Sequence, residues 1–308
     1  MGYTDNRNEL RARESESGGD LTDIQNPSGI LMDGKSEVVL LVHGYNNKVE
    51  DAADSYNSFI DNVNKKTLRP LLSNDPQKGN LPVFKLFWPG DWDVNDIVSS
   101  ASYPWMVRRA PKVADVLEKY LNTLNGPGGQ PMQIHVVAHS LGCRVTLDLI
   151  SLLRSRPQSG NHKIVSFTLM AAAVPEYMLS DGDIFSFLPE PDKKSQVLVS
   201  RKDTVLHWAF PPGQTAAGEG FFPTAVGRFG LPNIWERSTD FTKKGSSGYG
   251  HSNYWSGDES AAEVAAFLGG TIAAIPEQNI NSNTLPSSNS IPENKIGTRT
   301  IESRSVSV

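Results

Sequence analysis

One cysteine, Cys143, stands among 308 residues, so no disulfide can close within the chain, and a reducing, cytoplasmic setting is expected. Long apolar runs are also missing. No stretch approaches the roughly 20 consecutive apolar residues of a membrane span. The opening residues, MGYTDNRNELRARESESGGD, lack the apolar core of a signal peptide. Positive charge is not in excess. With 29 Lys and Arg against 34 Asp and Glu the net charge is −5, and the densest basic stretch, Arg154-Ser155-Arg156, is short. Nucleic acid is therefore not an expected partner. The six His are dispersed and the Cys is alone, which argues against zinc. Gly126-Pro127-Gly128-Gly129 matches no phosphate-binding fingerprint and reads as a turn. No metal or cofactor is expected.

The two ends have little periodic apolar surface. Residues 1–28 read as a mobile polar arm and residues 276–308 as a disordered tail rich in Asn, Ser, Thr and Pro, either of which would suit a tether or a protein-binding arm. Residues 29–275 are expected to form one domain. Within it, Glu37–Val42, Pro82–Trp88, Lys163–Val174 and Ser195–Ser200 read as strands, and Asp51–Lys66, Pro104–Leu124 and Ala261–Leu268 as helices. Asn233–Arg237 reads as a last strand. Strands apolar throughout and alternating with helices predict an α/β architecture, a mostly parallel sheet with helices on both faces.

The densest signal is Ala138-His139-Ser140-Leu141-Gly142. It follows the apolar run Ile134–Val137 and precedes Cys143–Ile150, which has helical spacing. Strand, sharp turn with one Ser, then helix is the layout of a nucleophile elbow. Ala138 stands where the pattern has Gly, at a crowded position that a small residue still fits. The plainer reading of Ser140 is a helix N-cap after a buried strand. Cys143, just inside the helix, reads as a small packing residue.

A serine hydroxyl needs a base, and the base needs a carboxylate to hold its tautomer. In an open α/β sheet such groups gather beyond the carboxyl ends of strands. There the sequence places His43-Gly44-Tyr45, Trp88–Asp91, Ser140, Arg201-Lys202-Asp203 and, late in the chain, Gly250-His251-Ser252. Ser140, Asp203 and His251 run in the chain order Ser…Asp…His. Glu176, after the Lys163–Val174 strand, is the rival acid. Asp203 also reads as a helix N-cap, and both roles can coexist. His207 is too close to Asp203 in sequence to face both it and Ser140. His43 and His139 read as supports, His135 as a core histidine and His162 as solvated.

With these residues the chain resembles the α/β-hydrolases over roughly residues 35 to 270. Within them it is similar to lipase- and esterase-like bacterial hydrolases. The resemblance rests on Leu41-Val42-His43-Gly44-Tyr45, Ala138–Gly142, Asp203 and His251. It implies a serine hydrolase acting on carboxylic esters through an acyl-enzyme. By position it implies an oxyanion hole from the N–H groups of Tyr45 and Leu141. A small cap insertion is expected from Pro175–Pro191 and His207–Pro232, whose aromatics, with Trp88, Asp91 and Trp92 opposite, would wall a site for a small-molecule or lipid-like acyl substrate. Trp88, Tyr177 and Trp208 are the candidate substrate contacts; packing on the core is the plainer role for such aromatics. A hydrolase-fold binding or signalling protein without turnover is the alternative from another class.

Overall fold

The computed structural model describes residues 8–26, 34–75, 81–91, 99–156, 162–180, 183–185, 194–230, 238–240 and 248–274. The strands are β1 (Glu9–Arg13), β2 (Leu21–Gln25), β3 (Glu37–Val42), β4 (Leu72–Ser73), β5 (Leu81–Phe87), β6 (Gln133–His139), β7 (Lys163–Met170), β8 (Lys194–Val199) and β9 (Ser238–Asp240). The helices are α1 (Val49–Lys65), α2 (Ser99–Leu121), α3 (Gly142–Ser155), α4 (Thr204–Trp208), α5 (Phe210–Ala217), α6 (Val226–Phe229) and α7 (Asp258–Ala274). The strands form one sheet in the order β2-β1-β5-β3-β6-β7-β8-β9, with β4 beside the start of β5. Among the described strands only the β1–β2 pairing is antiparallel. This is the expected mostly parallel α/β sheet.

Helices cover both faces because the central strands are apolar on both. Along β3, Val38, Leu40 and Val42 share a core with Val107, Ala110 and Val113 of α2 and Val145 and Leu149 of α3. Val39 and Leu41, pointing the other way, share a second core with Phe59 and Val63 of α1 and Val264 and Leu268 of α7. Each such fully buried side chain contributes about 1.5–3 kcal/mol.

The register sets where the loops emerge. Val42 of β3 lies beside Ala138 of β6, His139 beside Met170 of β7, and Met170 beside Leu198 of β8. These strands therefore end level with one another. The segments at 43–47, 140–141, 171–175 and 200–203 leave the sheet along one edge, the carboxyl edge.

Several expectations are corrected. Residues 1–28 are not a free arm over 9–25, since β1 pairs with Lys85–Phe87 and β2 with β1. The physical reason is a buried ion pair. Arg13 Nη1 lies 2.7 Å from Asp91 Oδ1 with both side chains nearly sealed, and the remaining Arg13 donors go to the carbonyls of Ser15 and Gly18. Strand β7 stops at Met170 rather than Val174, because Ala171 turns to a positive φ of 46°. His162 is buried, not solvated. It accepts from Met132 N–H and its Nε2 donates to Leu124 O. The Asn233–Arg237 strand, Trp92, Phe187, Leu188 and the tail 276–308 lie outside the described residues, and β9 follows directly at Ser238.

Candidate active site

Ser140 sits between β6 and α3 with φ +53°, a left-handed conformation that a side chain adopts only under constraint. The constraint is local. Its N–H donates to Met170 O at 2.9 Å and its carbonyl accepts from Ala173 N–H at 3.1 Å. Two glycines let the chain pass close by. A Cβ on Gly44 would lie 2.6 Å from Ser140 Cβ, and one on Gly142 would lie 2.4 Å from His43 O. The β3 loop is thus pressed onto the serine turn, with Tyr45 next in line. It is held by His43 Nδ1–H donating to Gly44 O, by Trp88 N–H donating to His43 Nε2 and by Asn46 N–H donating to Gly90 O.

The geometry brings Ser140, His251 and Asp203 together. Ser140 Oγ stands 2.8 Å from His251 Nε2, and His251 Nδ1 stands 2.7 Å from Asp203 Oδ2. The Asp203 oxygen can only accept from Nδ1–H, which leaves Nε2 as the acceptor facing the hydroxyl. Asp203 has no exposed surface and is also the N-cap of α4, its Oδ1 accepting from Leu206 N–H at 2.9 Å. One carboxylate thus caps α4 and also meets His251. Glu176 is not near this chain of bonds. Its carboxylate accepts from Thr224 Oγ1.

Supporting contacts tie the pieces together, and of them only the role of His139 has a signal in the sequence. Ser200 Oγ donates to Tyr249 O, bracing the turn before Asp203 against the approach to His251. Asn253 Oδ1 accepts from Gly250 N–H. His139 Nε2 donates to His251 O at 2.7 Å, and its buried ring lies tilted against the rings of His251, Tyr254 and Trp255. Burial first, then the neighbouring His251, pushes the His139 pKa down to about 3. Burial likewise pushes His43 down to about 4. Both rings are neutral supports. Cys143 is fully buried, which pushes its thiol up, so it is a packing residue as expected.

A cavity of about 810 Å³ opens over Ser140 and His251. Its walls come from the Tyr45–Asn47 loop, Tyr103 and Pro104 of α2, Val205 and Trp208 of α4, Phe210 to Ala216 of α5, and Trp255. Among the described residues no Asp, Glu, Lys or Arg lines it. Trp208 lines the mouth and is 73% exposed. The other two candidate contacts are corrected. Trp88 is fully buried, stacked on His43 with its Nε1–H on His43 O, because the β3 loop needs that donor. Tyr177 does not line the cavity; its ring covers Gly220. Met178, Leu179 and Phe185, expected in a cap wall, are buried in the main core.

No helix among the described residues is long and apolar enough to cross a membrane. A search of curated proteins finds no match. Among solved structures, similarity is found to an esterase from Pyrobaculum calidifontis, at 13% identity and TM-score 0.41, covering 79% of this chain and 78% of that one. It is found also to the RedJ thioesterase of Streptomyces coelicolor, at 13% identity and TM-score 0.37, covering 80% and 91%. A third is carboxyl esterase 2 of Tuber melanosporum, at 12% identity and TM-score 0.35, covering 86% and 89%. Similarity at this level says nothing of substrate. A family model for alpha/beta hydrolases of unknown function (DUF900) matches residues 28–210, more than half of the chain, from before β3 through the elbow and Asp203, and the chain belongs to that family.

Proposed function

We propose that this protein is a serine hydrolase that cleaves an uncharged carboxylic ester through an acyl-enzyme. The observation that carries the proposal is the unbroken line of hydrogen bonds from Ser140 Oγ through His251 to Asp203, at 2.8 and 2.7 Å. His251 Nε2 takes the hydroxyl proton as Oγ bonds to the ester carbonyl carbon. The oxyanion is held by the N–H groups of Leu141, at the start of α3, and Tyr45, on the loop pressed against Ser140. One such donor is worth about 3 kcal/mol in the transition state. The alkoxide leaves with the proton from His251. Water then gives its proton to His251, adds to the acyl carbon, and the acid departs as Oγ regains its proton. Asp203 keeps the proton on Nδ1 and stabilises the imidazolium.

The cavity supports the substrate class. Its volume of about 810 Å³ suits a medium-sized ligand. Among the described residues the lining has no Asp, Glu, Lys or Arg, which favours an acyl or aromatic group over a charged one, since a buried unpaired charge is costly. A fluorophosphonate probe tests the proposal. Intact-mass analysis is expected to show one adduct, placed on Ser140 and absent in Ser140→Ala. A wild-type protein that takes up no probe and hydrolyses no neutral ester overturns it.

A further inference from the structure

The peptide between Gly44 and Tyr45 lies on the loop after β3. The sheet order sets β3 between β5 on one side and β6, which leads into Ser140, on the other. The Gly44 carbonyl is drawn toward the β5 side. His43 Nδ1–H donates to it at 2.8 Å and Asn47 Nδ2–H at 3.3 Å. Gly90, just past β5, leaves room for it, since a Cβ there would lie 2.9 Å from Gly44 O. The described residues contain no cis peptide bond, and in a planar trans peptide the N–H points opposite to the C=O. The Tyr45 N–H is therefore turned toward β6, the side on which Gly44 is pressed against Ser140.

Asn47 holds more than this one carbonyl. Its Nδ2 also donates to Tyr45 O at 3.0 Å, so one amide group fixes the carbonyls on both sides of Tyr45. The backbone of Asn47 is held in turn from the N-terminal ribbon. Arg13 Nη1 donates to Trp88 O at 3.3 Å and to Asn47 O at 3.5 Å. Two residues further on, Val49 N–H donates to Glu16 O at 3.0 Å. Arg13 and Glu16 both precede residue 28, where the family match begins. The loop over Ser140 is thus steadied in part by a segment that the family model does not include.

We infer that Asn47 is a positioning residue for the reaction at Ser140. It keeps the Gly44–Tyr45 peptide turned so that its N–H, and not its carbonyl, meets the oxyanion of the tetrahedral intermediate. A flipped peptide would present the Gly44 oxygen there, and that oxygen would repel the developing charge. A donor already aimed costs no reorganisation at the moment of reaction. Asn47 acts through the loop rather than on the reacting atoms. The inference rests on the reading of Tyr45 N–H as an oxyanion donor.

Steady-state hydrolysis of a neutral ester by Asn47→Ala and Asn47→Asp tests it. Asp keeps the shape of Asn and loses its donors. Each variant is expected to lower kcat about 10- to 100-fold, with KM changed by less than about twofold. A trifluoromethyl ketone, whose adduct on Ser140 carries the oxyanion, is expected to bind more weakly by the factor that kcat/KM falls. A role in folding alone would lower Tm and spare both quantities. Gly90→Ala reaches the same carbonyl from the other side, since its methyl displaces Gly44 O, and is expected to give the same pattern. Unchanged kcat in all three variants, a rise in KM alone, or undiminished ketone binding overturns the proposal. A wild type that hydrolyses no neutral ester and takes up no fluorophosphonate overturns the serine-hydrolase reading with it. A wild type that does both, matched by its variants, overturns the role of Asn47 alone.

Discussion

Strand β6 with its turn at Ser140 and strand β1 with its return in β2 belong to the same sheet, and they are held there by different forces. From Ile134 to Ala138 every residue of β6 is buried, and α3 adds Cys143, Val145, Leu147 and Leu149 behind the turn. Apolar burial holds this region, and it tolerates the positive φ of Ser140 because the surroundings leave no alternative. Strand β1 reads Glu-Leu-Arg-Ala-Arg and gives only Leu10 and Ala12 to the core. What holds it is parallel pairing to β5 and the sealed Arg13–Asp91 pair, to which Gly18 N–H adds a bond on Asp91 Oδ2 at 2.8 Å. The lesson is that the geometry of the Ser140 turn rests on a nonpolar frame, while the sheet's edge rests on paired charge. The two are therefore vulnerable to different changes.

The sharpest way to break the comparison is at its centre. Ser140→Ala is expected to lower hydrolysis of a small neutral ester about 10⁴-fold or more. It is expected to leave Tm nearly unchanged, because removing one hydroxyl creates almost no cavity. Residual activity within tenfold of wild type would show that Ser140 is not the nucleophile. Asp203→Asn comes next. It is expected to cost about 10⁴-fold in kcat by allowing the wrong tautomer of His251, with some loss of stability at the α4 cap.

At the edge the expected effect is on folding. Arg13→Ala leaves Asp91 buried and unpaired, which costs about 3–5 kcal/mol and lowers Tm by about 10 °C. Denaturant titration checks this, and a loss under 1 kcal/mol would mean that the ribbon is held by backbone pairing alone. Acid pH probes the frame around the site. His43 and His139 ordinarily titrate at 6.5, and burial holds them at about 4 and about 3 in the fold. The unfolded chain therefore takes up protons that the folded chain refuses. The stability they contribute is complete above pH 6.5 and is lost as pH falls toward 4 and then 3. The expected slope reaches about 1.4 kcal/mol per pH unit for each ring. His139→Gln, which cannot titrate, is expected to flatten it, read from unfolding midpoints between pH 7 and pH 4. The smallest effect belongs to Glu176→Gln, expected to change kcat/KM less than twofold, since its carboxylate bonds Thr224. A loss approaching that of Asp203→Asn would reverse the assignment of the acid.

Much of the central sheet is legible from pattern alone, because parallel strands covered on both faces must be apolar throughout. Glu37–Val42 reads as a strand and is β3 to the residue. The elbow is legible because a lone Ser between an apolar strand and a helix has few other readings. Asp203 is legible as a cap and as a candidate acid because it stands after a strand and before a helix. The β1–β2 ribbon is not legible. Its burial depends on a partner 78 positions away, and a polar strand has no periodicity to betray it. Trp88 fails as a substrate contact for a related reason. A tryptophan at a strand end serves a cavity or a core equally well until the position of His43 is known.

Composition and order along the chain by themselves determined the α/β class, the turn that carries Ser140 and the sequence of Ser, Asp and His, because these follow from local periodicity and from residue chemistry. Tertiary structure alone decided that Asp203 rather than Glu176 reaches His251, and that the support His139 gives is a bond to the His251 carbonyl. It also decided that the polar N-terminus joins the sheet. Each of these depends on distances between residues far apart in the chain, and such distances are set by how the cores pack, which no local pattern encodes.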